Sequence, residues 1–207
     1  MISHKYKCIF LHIPKSGGST IKCLLKEIDK NAVPLGHMPI SKMKNDLNFN
    51  ESYFKFTFVR NPWARLNSLY FFLLNQTPKH IHYKYDKLKV RFLQDNNISF
   101  SEFIKECSVN FINSPDSVRR GFNLNAAPYT DRYILPDNPL DFIGKVENFQ
   151  EDFNTICDKI GIPHQELPHK NASKHKHYTE YYDDETRAII AEKYAKDIEH
   201  FGYKFGR

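Results

Sequence analysis

The stretch that most limits how this chain can fold is FLHIPKSGGST, residues 10 to 20. The apolar run KCIFLHI, residues 7 to 13, is short, continuous and halted by Pro14, which reads as a strand covered on both faces. After the glycines, Ile21, Leu24, Leu25 and Ile28 recur at i, i+3, i+4 and i+7, so the spacing predicts a helix from about Ser19 to Asp29. The chain therefore opens as strand, glycine turn and helix, and the turn carries Lys15, Gly17, Gly18, Ser19 and Thr20.

The pattern returns at YFKFTFVR, where Phe54, Phe56 and Phe58 alternate with other residues before Asn61-Pro62. Asparagine as N-cap with proline at the first helical position predicts a helix running to about Asn75. Further on, Ser99 and Glu102 form a capping box ahead of Phe100, Phe103, Ile104 and Cys107. DFIGKVE reads as a strand, and a helix bearing Phe153, Ile156, Cys157 and Ile160 stops at Gly161 and Pro163. A last helix is expected from near Asp183 to just before Gly202, whereas residues 76 to 98 and 108 to 138 show helical fragments and loops. Strands alternating with helices predict an α/β fold, a P-loop-like three-layer arrangement of a central parallel sheet flanked by helices. No linker divides the chain, so residues 1–207 are expected to form a single domain.

Composition bounds the partners. With 207 residues, 41% of them hydrophobic, the chain can bury a core without disulfides or metal. Cys8 falls in the first strand and Cys23, Cys107 and Cys157 in helical spacing; no CxxC occurs, and reduced thiols in or near the core are expected. CIFLHI and LYFFLL are too short to span a bilayer, and the N-terminus lacks the form of a secretory signal, so the expectation is a cytoplasmic protein with no transmembrane segment. The formal charge of +6 favours an anionic partner, but cations and acids are interleaved and no nucleic-acid signature occurs.

A glycine turn that opens a helix aims several backbone N–H groups outward, and the helix N-terminus adds partial positive charge. Such a nest holds phosphate. Gly17 and Gly18 allow close approach, Ser19 and Thr20 offer hydroxyls and Lys15 supplies a full charge, although a tight turn with a solvated lysine would use the same residues. The turn is not a Walker A loop, because Lys15 precedes the glycines. The magnesium logic of that loop does not transfer, and no metal is required. In FVRNPWARLNSLY, Asn61, Arg65 and Ser68 share a helical face, with Trp63, Leu66, Leu69, Tyr70 and Leu73 opposite. Arg60, at the strand end, and Ser68 form a fork for a second phosphate group; alternatively, Arg60 and Arg65 are surface ion-pair partners.

Both stretches resemble the nucleotide-binding signatures of the sulfotransferases, above all the carbohydrate-type group with its HIPK-x-GG and R-N-P-x-x-R-x-x-S patterns. FIGKVENFQEDFNTICDKIGI and the final YYDDETRAIIAEKYAKDIEHFGYKF are similar to the same group, while residues 76 to 130 are not. The resemblance implies that Lys15, Ser16, Gly17, Gly18, Ser19 and Thr20 hold the 5′-phosphosulfate of 3′-phosphoadenosine 5′-phosphosulfate. Arg60 and Ser68 would hold its 3′-phosphate, and adenosine 3′,5′-bisphosphate would be the product. Ser16 stands where the group often has threonine. The membrane anchor and stem of luminal glycan sulfotransferases have no counterpart here, which implies a soluble bacterial or viral relative.

Sulfuryl transfer builds charge on the leaving phosphate oxygen, which Lys15 would stabilise, and a hydroxyl acceptor needs a base. Among ten histidines, His37 in the loop after the first helix is the candidate, because the related glycan enzymes place a catalytic histidine after a similar helix; His12 is a rival, and His80 and His82 lie in the less readable middle. Lys174, in the basic loop PHKNASKHKHY, either closes over the nucleotide or is solvated. The expected partner is a saccharide or small-molecule hydroxyl acceptor, with no nucleic acid and no metal. A P-loop nucleotide kinase and a non-enzymatic anion- or nucleic-acid-binding module are the alternatives.

Overall fold

The computed structural model of the chain describes residues 1–80, 83–137, 139–168 and 176–207. Among these, the elements run β1 (Ile2–Ser3), β2 (Cys8–Leu11), α1 (Gly18–Ile28), α2 (Ile40–Met43), β3 (Phe54–Val59), α3 (Pro62–Leu74), α4 (Tyr83–Asp95), α5 (Phe100–Ser108), α6 (Asp116–Ala126), α7 (Tyr129–Arg132), β4 (Phe142–Lys145), α8 (Phe149–Ile160), α9 (Asp184–Lys193) and α10 (Ala195–Phe201). The fold is α/β, as the alternation predicts. The described residues gather into two compact units, one from Met1–Arg60 and the described part of Tyr129–Asn171, the other from Asn61–Pro128 and the described part of Ala172–Arg207.

The first unit holds the sheet, in the order β1-β2-β3-β4. Strands β2, β3 and β4 are parallel, in a register that runs from Cys8↔Phe54 to Leu11↔Thr57 and from Phe56↔Phe142 to Val59↔Lys145. The sheet is mixed because β1 pairs antiparallel to β2, Ile2 opposite Ile9. All four residues of β2 are buried, which explains its unbroken apolar run. Cys8, Phe10, Phe56 and Phe58 pack with Ile21, Leu24 and Leu25 of α1 and with Phe153, Ile156 and Cys157 of α8. The Phe10 and Phe56 rings lie 5.3 Å apart, and burying each such side chain is worth about 1.5–3 kcal/mol. Gly161 ends α8 in the left-handed conformation, φ 71°, as its position predicts.

The second unit is helical. Trp63, Leu66, Leu69 and Leu73 of α3 form its core with Val90 and Leu93 of α4, Phe103 and Ile104 of α5, Phe122 of α6 and Ile190 of α9. Asn61 caps α3 by accepting the Trp63 N–H, with Pro62 in the first turn, and the Ser99–Glu102 capping box opens α5. The last helix is not continuous but breaks at Tyr194 between α9 and α10. Tyr194 is buried and its hydroxyl donates to the Ala126 carbonyl, a tertiary bond that local spacing does not encode.

Cys8, Cys107 and Cys157 are buried and Cys23 is exposed, all as free thiols. Burial pushes the Cys8 thiol up to about 12, so it is inert at neutral pH. Among the described residues, no helix is long and apolar enough to cross a membrane.

Candidate active site

Strands β2 and β3, helix α1, His37 and Tyr129 all belong to the first unit. Strands β2 and β3 lie side by side in parallel, so the residues that follow them, Lys15 and Arg60, both come after carboxyl ends of one sheet. That is where α/β sheets bind ligands. A hydrogen bond from Thr57 Oγ1 to the Leu11 carbonyl, 2.7 Å, joins the two strands near those ends.

The loop between β2 and α1 is built from two residues in the left-handed region, Lys15 at φ 64° and Gly17 at φ 72°. For glycine this is free; for lysine it is strained, and such strain concentrates at functional sites. Gly17 is the N-cap of α1 but offers no side-chain cap, and the first turn contains no acid. The Thr20 N–H donates to the Gly17 carbonyl at 3.1 Å, and the N–H groups of Gly18 and Ser19 precede the intrahelical ladder, so the helix presents donors and partial positive charge to an anion. A Cβ on Gly17 would fall 2.5 Å from Phe149 Cζ, and one on Gly18 only 1.9 Å from the His12 ring. Both glycines are therefore needed for fit, and Gly17 for its conformation as well. Lys15 is half-buried, Ser19 exposed and Thr20 buried.

Ser16 is 1% exposed and its hydroxyl turns inward, where Oγ lies 3.0 Å from the hydroxyl of Tyr129. The same Tyr129 oxygen accepts the Arg60 N–H at 2.9 Å, and its proton is donated to the Arg60 carbonyl at 3.0 Å. A hydroxyl has one proton and two lone pairs. These three contacts use all of them, which makes Ser16 the donor to Tyr129. One fully buried phenol thus joins the β2–α1 loop to the residue that follows β3.

His37 is exposed, and its Nδ1 lies 2.9 Å from the main-chain oxygen of His12. A carbonyl only accepts, so Nδ1 carries the proton and Nε2 is the basic nitrogen. The two imidazoles are 4.1 Å apart, centroid to centroid. Burial, reinforced by positive charge at His37, lowers the His12 pKa to about 2, so His12 is neutral at any ordinary pH and a poor base. Of the two rivals, His37 has the access and the tautomer.

The rest of the second signature lies in the helical unit. Ser68 is half-buried on α3. Arg65 does not stand on the surface as an ion-pair partner: it is fully buried, and its guanidinium donates to the carbonyls of Ala127 at 2.8 Å and Asn125 at 3.0 Å. The Asn61 amide donates to the Lys204 and Arg207 carbonyls, both at 2.9 Å. Asn61 and Arg65 thus anchor the helix within its own unit. Lys174, Lys170, His175 and His82 lie outside the described residues. Tyr129, 113 residues from Ser16, has no sequence signal that would have found it, because no local spacing links them.

A glycine turn that opens a helix and a second strand end followed by Arg60 thus stand at the carboxyl side of one parallel sheet. The sulfotransferase family model matches residues 1–204, and the chain belongs to that family. It is 34% identical over 115 residues to a protein of Archaeoglobus fulgidus described as uncharacterized, an alignment covering 56% of this chain and 73% of that one. It is also similar to carbohydrate sulfotransferase 9 of Homo sapiens, 25% identical over 221 residues, and to carbohydrate sulfotransferase 14 of Danio rerio, 24% identical over 237 residues. Those alignments cover 95% and 98% of this chain but only 47% and 61% of the relatives. The chain thus spans about half of the first carbohydrate sulfotransferase and three-fifths of the second.

Proposed function

We propose that this protein is a single sulfotransferase domain that transfers a sulfuryl group from 3′-phosphoadenosine 5′-phosphosulfate to a hydroxyl of a saccharide or related small molecule. The observation that carries the reading is the start of α1, capped by a left-handed Gly17 with no side chain and no acid in its first turn, directly after Lys15. Uncapped N–H groups, two Cβ-free positions and a half-buried ammonium suit the 5′-phosphosulfate. The saccharide acceptor is inferred from the carbohydrate sulfotransferases among the relatives.

When bound, the donor supplies an activated sulfuryl group on a phosphate leaving group. Lys15 and the N–H groups at the start of α1 hold that phosphate and offset the charge that builds on it during transfer. Arg60 holds the 3′-phosphate. His37 takes the acceptor's proton on Nε2, while the carbonyl of His12 keeps the ring in the productive tautomer.

Thermal denaturation with adenosine 3′,5′-bisphosphate, compared with Mg-ATP and a short oligonucleotide, tests the reading. A ligand held by the native state raises the melting temperature. The bisphosphate alone is expected to do so, and Lys15→Ala or Arg60→Ala to abolish the effect. Stabilisation by Mg-ATP alone would replace the reading with a kinase, and by the oligonucleotide alone with a nucleic-acid-binding module. Transfer of radiolabel from the donor to a panel of hydroxylated acceptors then identifies the acceptor.

A further inference from the structure

We propose that Tyr129 is a positioning residue that sets the span between the two phosphate-holding stations of the donor site, Lys15 with its loop and Arg60, without itself touching the ligand. The inference rests on the reading given above.

Arg60 follows Val59, the last residue of β3 paired with β4. The Tyr129 hydroxyl meets both its N–H and its carbonyl, at 2.9 and 3.0 Å. One side chain thereby holds the backbone of Arg60 at both its N–H and its carbonyl. Lys15 has the opposite difficulty, because its left-handed backbone persists only if the surroundings enforce it. Its neighbour Ser16 donates to the same phenol oxygen, which ties the strained turn to the strand end. Tyr129 is itself anchored at the start of α7, where its carbonyl accepts from Tyr133 and Ile134, both at 2.8 Å. With 0% exposure, the phenol has no water to exchange these bonds for.

A ligand with two phosphates gains from binding both ends at once only when the stations are held at the right separation. A ligand with one phosphate does not sense that separation. Loss of the Tyr129 hydroxyl should therefore weaken a bisphosphate far more than a monophosphate, and a general loss of structure would weaken both alike.

The test is calorimetric titration of the full chain and of Tyr129→Phe with adenosine 3′,5′-bisphosphate and with adenosine 5′-monophosphate, with thermal melting to confirm folding. The expected result is an affinity for the bisphosphate lowered about tenfold in Tyr129→Phe, with the monophosphate changed less than about twofold. Ser16→Ala keeps both bonds to Arg60 and cuts only the tie to the loop, so it should reproduce the selective loss even if Tyr129→Phe folds poorly. Equal weakening of both ligands, or no weakening of either, in Ser16→Ala overturns the inference. Failure of the unaltered chain to bind the bisphosphate at all overturns the sulfotransferase reading, and the inference with it.

Discussion

The His37 imidazole donates its Nδ1 proton to the main-chain oxygen of His12 at 2.9 Å, while the His12 ring occupies the space that a side chain at Gly18 would need. A loop histidine is thereby tied to the residue that follows β2, whose own ring packs against the first residue of α1, and the His37 ring is held by its Nδ1 rather than left to rotate.

Removing that nitrogen should abolish chemistry and spare binding. His37→Ala is expected to lower kcat by about 100- to 10,000-fold, the usual worth of a general base. Affinity for adenosine 3′,5′-bisphosphate should change less than about twofold. Steady-state rates and calorimetry on the same preparation decide it; near-normal turnover would assign the base to another residue.

Acid should destabilise the fold through His12. Its folded pKa of about 2 lies far below the ordinary histidine value of about 6.5, so between those values the unfolded chain binds a proton that the folded chain refuses. The contribution is fully present above about pH 6.5 and is lost as pH falls, amounting to about 2 kcal/mol by pH 5. Urea unfolding of the unaltered chain and of His12→Asn across pH 5–7.5 should show a steeper decline in the former. Parallel profiles would mean that His12 titrates normally in the folded state.

Lysine at position 15 is held in a conformation better suited to glycine. Lys15→Gly should therefore be more stable than Lys15→Ala by about 1 kcal/mol, since alanine keeps the backbone strain. Both should lose binding of the bisphosphate, because both lose the ammonium. Equal melting temperatures would show that the residue relaxes out of the left-handed region.

Alanine usually improves a helix relative to glycine by about 0.5–1 kcal/mol. Gly18→Ala should do the reverse. Its Cβ would sit 1.9 Å from His12 Cδ2 and 2.2 Å from Nε2, so the rings must shift, at a cost of about 1–3 kcal/mol. A lower melting temperature together with reduced kcat is the expected pair of readings, and a stabilised variant with full activity would contradict the packing.

The elements legible in the sequence are those whose stability is local or nearly so. The buried run of β2 and the spacing of α1 and α8 needed only hydrophobic period and a glycine, and α3 and α5 needed only their caps. In the less readable middle, α4 buries only Lys89, Val90 and Leu93, too few apolar positions for its period to stand out. β1 is two residues long and has no period at all.

By itself the sequence determined the alternating α/β order, the glycine turn with its lysine and the cap that starts α3, because each arises from residues within one or two helical turns of one another. Only the tertiary structure decided which histidine is buried and neutral, that Arg65 serves carbonyls inside its own unit, and that Tyr129 joins Ser16 to Arg60. These depend on desolvation and on hydrogen bonds between segments some 25 to 113 residues apart, quantities that exist only once the chain has closed around them.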